Sequence, residues 1–335
     1  MKKQRIRFFG DTLGLAPLPL RLKQALVTIR GEADVPSSRW GLSSLTQLYP
    51  KVSLKLWRGK SFVEKKVIIS NLFNHTQTDI EAGWSVRKTQ TLDFRGRGLT
   101  YDSHNGTDFA IPIGTTVCTA AAGKVEQVIS EFNRGGLKIF IDHGEGLMTC
   151  YAHLAKSLVQ VGDRLHRGQA IAISGYSGLD GAVTFPFGIP HVHFNVWLNG
   201  LPIDPFAHAE QISLWLNGEL PSAASDCDAD FTTSEYNADF VKAALENCKT
   251  KTVKERILKL ETMEEQAVQL IIEMNYYPTR FTKRICVYQS SYARKPMLDL
   301  PFRNDDFNGV VFLDDVLNSL RFLIKRNFAS RRVQK

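Results

Sequence analysis

Three short segments hold the residues best able to do chemistry: His104-Asn105-Gly106-Thr107-Asp108, Tyr151-Ala152-His153-Leu154 and His191-Val192-His193-Phe194. Side chains two apart on a strand share a face, so His191 and His193 can approach one ion or one substrate. The plainer alternative is two polar groups on a solvated strand. His104 and Asp108 add an imidazole nitrogen and a carboxylate oxygen, both good zinc donors. Gly106 lets the backbone between them bend. The competing explanation is a turn with an incidental histidine and a capping aspartate. A catalytic zinc takes three protein ligands and keeps one position open for water, a quota that two histidines and one aspartate fill.

The order of these segments strengthens the metal reading. The chain reads HNGTDFAIPIGTTVCTAAAGKV, then IDHGEGLMTCYAHL, then VGDRLHRGQAIAISGYSG, then HVHFNVWLNGLPIDP. From His104 to Pro205 it resembles the lysostaphin-type zinc endopeptidase family, which shows H-x-x-x-D, a glycine-rich β region, Y-x-H-L and H-x-H-F in this order. The resemblance implies one zinc ion per chain, held by His104, Asp108 and His193, with His153 and His191 as the catalytic pair. It leaves open which of the pair acts as base. It further implies a metalloendopeptidase acting on peptide or peptidoglycan cross-links, in the cell envelope or outside the cell. Three departures stand out. A longer segment, Leu179 to Pro190, precedes His191, Asn195 stands where an acid is usual, and Arg134-Gly135-Gly136-Leu137 lacks the usual Gly-Asn pair. His143 and His166 read as structural or solvated, and His75 and His208 lie outside the motifs. Two other functions stay open: a zinc peptidase acting on non-wall peptides, and a non-enzymatic wall-binding or activating scaffold. Retention of all five residues argues against the second.

These side chains need a sheet to position them. Residues 100–206 are dense in short apolar runs broken by glycine, which predicts strands at Thr116 to Ala120, Lys124 to Ser130, Lys138 to Asp142, Met148 to His153, Ala170 to Ser174 and His191 to Leu198. The expected fold is mixed and β-dominated: an antiparallel sheet or sandwich as peptidase core, a β-rich N-terminal region and a mainly helical C-terminal domain. The alternation of Val52, Leu54 and Leu56, and the run Val67 to Ile69, suggest strands in the N-terminal region. Val253, Ile257, Leu260, Ala267, Ile271 and Met274 recur on one face of a single long helix that ends near Pro278. Further helices are expected over Ala238 to Cys248 and Asp315 to Arg326, and strands over Arg284 to Tyr288 and Val310 to Leu313. The implied organisation is 1–95 β-rich, 96–210 zinc peptidase, 211–235 linker and 236–335 mainly helical.

Composition narrows the partners. Apolar residues at 43% and charged residues at 23% give enough material for a packed core. A net charge of +8 suits either plain solubility or attraction to an anionic polymer. The last fifteen residues, with Arg321, Lys325, Arg326, Arg331, Arg332 and Lys335, repeat that choice. No nucleic-acid partner is predicted. Five cysteines without a CxxC argue against a disulfide framework or a cysteine zinc site. Lys2, Lys3, Arg5 and Arg7 are followed by Asp11, Pro17 and Pro19, which does not form a convincing secretion signal, so a cytoplasmic location stays open. No apolar run is long enough to span a membrane.

Overall fold

A computed structural model of the protein describes residues 6–76, 78–223 and 231–320. The glycine-punctuated runs pair into one sheet. Its strands are β1 (Val67–Asn71), β2 (Thr107–Ala110), β3 (Thr116–Cys118), β4 (Gly123–Glu131), β5 (Gly136–Asp142), β6 (Leu147–Ser157), β7 (Arg164–Leu165), β8 (Ala170–Ser174), β9 (His191–Leu198), β10 (Leu201–Ile203) and β11 (Val310–Phe312). The main path runs β11-β1-β2-β9-β6-β5-β4-β7, with β10 on β9 and β3 paired through β8 to β6. Every pairing is antiparallel except β1 with β11. The fold is therefore mixed, with a mostly antiparallel sheet and helices towards the C-terminus.

Alternation along the central strands sorts side chains between two apolar clusters. Val192, Phe194 and Val196 of β9 and Tyr151 and Leu154 of β6 pack into one core with Phe109, Trp215 and Phe302. On the opposite face, Trp197, Met148, Cys150 and Ala152 pack against the C-terminal helices α4 (Ala238–Glu246), α5 (Lys251–Leu258) and α6 (Met263–Tyr276). His191, His193 and Asn195 share that second face with Trp197, since they lie an even number of residues from it. The helical layer covers the Trp197 end and stops near Asn195, where the Tyr276 hydroxyl donates to Asn195 Oδ1 at 3.3 Å. The histidine end is left to a groove.

The N-terminal region differs from expectation. Its described residues carry α1 (Leu18–Arg30), α2 (Pro50–Trp57) and a single strand, β1. The Val52-Leu54-Leu56 alternation belongs to α2: Val52, Ser53 and Leu56 are buried while Leu54 points outward. Apolar residues at i and i+4 satisfy a helix as readily as a strand over eight residues, and Pro50 in the first turn starts the helix. Tertiary hydrogen bonds then hold it, from Ser53 Oγ to the Pro186 carbonyl at 3.0 Å and from Trp57 Nε1 to that of Gly188 at 3.0 Å. The long segment before His191 contains α3 (Leu179–Thr184).

The C-terminal stripe is two helices instead of one. After α4 (Ala238–Glu246) come α5 (Lys251–Leu258) and α6 (Met263–Tyr276). Thr262 breaks the run. Its hydroxyl accepts from the Glu265 N–H at 3.1 Å, and the Glu265 carboxylate accepts from the Thr262 N–H at 3.2 Å, a reciprocal cap. As expected, α6 ends just before Pro278. Residues 284–287 form no strand; Tyr288 makes an isolated bridge to Tyr236. Residues 313–320 are helical, and the rest of the expected helix to Arg326, with the basic tail, lies outside the described residues. Among the described residues no helix is long and apolar enough to cross a membrane. Cys118, Cys150, Cys248 and Cys286 are free.

Candidate metal centre and groove

Register brings the first three residues together. In the β2–β9 pair Asp108 lies opposite His193 and Ala110 opposite His191. His104 arrives from the loop before β2. Gly106 matters here for space: a Cβ on it would lie 2.7 Å from the Phe194 carbonyl oxygen and 2.9 Å from the His193 ring. One ligand atom each from His104, Asp108 and His193 falls within 4.8 Å of the others, and all three residues are buried. His104 Nε2 is 3.0 Å from Asp108 Oδ1 and 3.1 Å from His193 Nδ1, and His193 Nδ1 is 2.7 Å from the same carboxylate oxygen.

The surroundings fix how these groups present themselves. His104 Nδ1 sits 2.6 Å from the Leu72 carbonyl, which can only accept, so the proton of a neutral ring belongs on Nδ1. Its Nε2 lone pair then faces a carboxylate oxygen at hydrogen-bond distance, which is repulsive unless positive charge lies between them. Asn71 Nδ2 donates to Asp108 Oδ2 at 2.8 Å and orients the carboxylate. Burial alone would raise the Asp108 pKa, but hydrogen bonds and positive charge from the surrounding imidazoles, available only where a ring carries a proton towards the carboxylate, overcome it and hold the group well below the usual range. Burial pushes His193 down. The result is a buried anion among nitrogen donors. This donor set fits a divalent cation that accepts imidazole and carboxylate ligands.

His153 and His191 flank the cluster. Their ring centroids are 4.9 Å apart, and His153 lies 6.3 Å from His193. Each has Nδ1 against a backbone carbonyl, Ser177 for His153 and Ile189 for His191, both at 2.8 Å. Both therefore turn Nε2 towards the site, and His191 Nε2 is 3.5 Å from Asp108 Oδ1. His153 is held at φ 61°, a left-handed conformation costly for a non-glycine residue and typical of places where function dictates direction. Burial, reinforced by the neighbouring His191, lowers its pKa to about 3. Tyr176, which the motifs did not single out, closes over the pair, 4.8 Å from His191 and 5.2 Å from His153 between ring centroids.

The departures from the family pattern have structural consequences. Asn195 donates to the backbone and side-chain oxygens of Asn105, both at 2.9 Å, and so braces the His104 loop. α3 places Asp180 and Thr184 along the groove. The opposite wall comes from far upstream, with Trp40, Tyr49 and Trp84 facing the histidines. No pattern in residues 38–86 could have announced that role. The remaining histidines make contacts of their own. His143 is buried between the Ala122 carbonyl and Thr149 Oγ1, and His75 pairs with Asp204 while packing on His208.

Comparison with known proteins agrees with the motif region. The model of peptidase family M23 matches residues 102–205. The peptidoglycan DD-endopeptidase ShyA of Vibrio cholerae is 42% identical over 101 residues, covering 30% of this chain and 22% of that protein. Lysostaphin of Staphylococcus simulans is 34% identical over 103 residues, 30% of this chain and 20% of that one. Among solved structures, a zinc-containing peptidase from Vibrio cholerae is 31% identical, covering 42% of this chain and 38% of that chain, with a TM-score of 0.31. The matched stretch thus spans about a fifth of these curated relatives. Residues 102–205 of this chain form a peptidase family M23 domain.

Proposed function

We propose that the protein is a zinc-dependent metalloendopeptidase that hydrolyses peptide cross-links of peptidoglycan. The observation that carries this reading is the buried His104, Asp108 and His193 donor set beside two imidazoles with Nε2 turned towards it. The substrate class is supported by the M23 match and by the names of the relatives, and it implies a place of action at the cell envelope. Zinc bound there would supply a Lewis acid for the peptide carbonyl and bring the pKa of a water near 7.

The chain's own residues do the rest. His104 and His193 donate ring nitrogens and Asp108 a carboxylate oxygen. The Leu72 carbonyl and the Asn71 amide hold two of these donors in orientation. His153 and His191 are locked by carbonyl acceptors into the tautomer with an unprotonated Nε2, which can take a proton from water and return it to a leaving amine. Tyr176 packs on both rings. The test pairs metal analysis with incubation on purified peptidoglycan. Stoichiometric zinc and zinc-dependent release of muropeptides are expected. A zinc-loaded protein that releases none, while a control enzyme does, would overturn the reading.

A further inference from the structure

The turn between β4 and β5 carries an arginine that the proposed chemistry leaves unused. Arg134 lines the part of the groove that also contains His153, His193 and Asn195. Its guanidinium lies between the rings of Trp84 and Tyr277, 5.6 and 5.8 Å from their centroids. Arg134 Nε is buried without a hydrogen-bond partner, and among the described residues no carboxylate pairs with this side chain. The nearby acid Glu131 is committed elsewhere: it accepts from Lys138 Nζ at 2.7 Å and from the Tyr277 hydroxyl at 3.3 Å. Asp180 lines the same space and attracts the Arg134 guanidinium through space without a direct hydrogen-bonded ion pair. Arg134 is half-buried, and its unsatisfied Nε–H leaves a donor on the groove that an anionic group of a ligand can take up. The planar fork of a guanidinium matches a carboxylate in two parallel hydrogen bonds, and flat aromatic neighbours fix its plane.

We propose that Arg134 is a specificity-determining residue that binds a free carboxylate on the substrate residue next to the cleaved amide. This rests on the endopeptidase reading, because His153 and His193 define where that amide lies. The occupant is thus a peptide whose branch point keeps an unblocked carboxylate within one residue of the scissile bond, as opposed to an uncharged glycine bridge.

The test uses two synthetic cross-link peptides, identical except that this carboxylate is free in one and a carboxamide in the other. Binding to the full chain is measured by calorimetry after chelator treatment, so that turnover plays no part. The wild type should prefer the free carboxylate by at least about tenfold, the scale of a charge-assisted hydrogen bond. Arg134→Gln should bind both peptides within about twofold of each other, and Arg134→Lys should keep part of the preference. Equal or unmeasurable binding of both peptides by the wild type overturns the inference, as does an undiminished preference in folded Arg134→Gln. Cleavage of the same peptides by zinc-loaded protein is scored separately. Its absence would count against the endopeptidase reading, while the binding ratio still decides the role of Arg134.

Discussion

Replacing Gly106 by alanine tests the packing of the proposed metal centre with a single methyl group. The new Cβ would sit 2.7 Å from the Phe194 carbonyl oxygen and 2.9 Å from the His193 ring, where ordinary contact begins at 3.4 Å. Neither neighbour yields easily. Phe194 is paired to Thr107 and Tyr151 within the sheet, and His193 is a buried donor facing Asp108. Relief requires the β2 and β9 backbones to part, or the His193 ring to move, by about 0.5–0.7 Å, well beyond the tolerance of roughly 0.2 Å for metal-ligand distances. We expect zinc affinity to fall about 10- to 100-fold, the usual effect of disturbing the support of a metal ligand. Overpacking should also cost about 1–3 kcal/mol of stability. A zinc competition assay with a chromogenic chelator reads the first, and urea denaturation of the metal-free protein reads the second. If Gly106→Ala matched the wild type in both, the close approach of the loop to β9 would be wrong, and with it the account of how His104 reaches the site.

His104→Ala, Asp108→Ala and His193→Ala should each abolish zinc retention, whereas His153→Ala and His191→Ala should keep zinc and lose turnover; equal metal loss across all five would refute the division of roles. His143 is buried as a neutral ring with its pKa pushed down to about 4 by burial, so the unfolded chain binds its proton first as pH drops. Its contribution is complete above pH 6.5 and falls away between 6.5 and 4, costing about 2 kcal/mol between pH 7 and 5. Denaturation at both pH values should show that extra loss in the wild type and not in His143→Gln, and parallel losses would show that another group titrates. Thr262→Ala removes the cap of α6 and should cost about 1 kcal/mol with zinc content unchanged, measured by the same denaturation; no loss would mean that packing alone fixes where α6 begins.

The parts of the fold legible in the sequence were those written in short-range chemistry. Ala170–Ser174 and His191–Leu198 read as strands because glycine and β-branched residues bound and fill them. The histidine motifs were legible because their donors are few and their order specific. What failed was ambiguous locally or determined at a distance. The eight residues of α2 satisfy both periods, and only Pro50 and the distant carbonyls of Pro186 and Gly188 decide between them. The break between α5 and α6 was readable in Thr262-Met263-Glu264-Glu265, a capping box hidden inside an uninterrupted apolar stripe. Trp40, Trp84 and Arg134 meet near His153 only after the chain has folded, and no spacing encodes that meeting.

The bond from His104 to the Leu72 carbonyl and that from Asn71 to Asp108 have a practical corollary. Both partners precede the stretch that matches the M23 family, which begins at residue 102. Excising that stretch as a minimal catalytic core, or grafting it into another protein, would remove the groups that fix one ligand's tautomer and another's orientation. It would also bare the edge of β2, which β1 now covers. The motif would survive such surgery intact while the centre it builds would not.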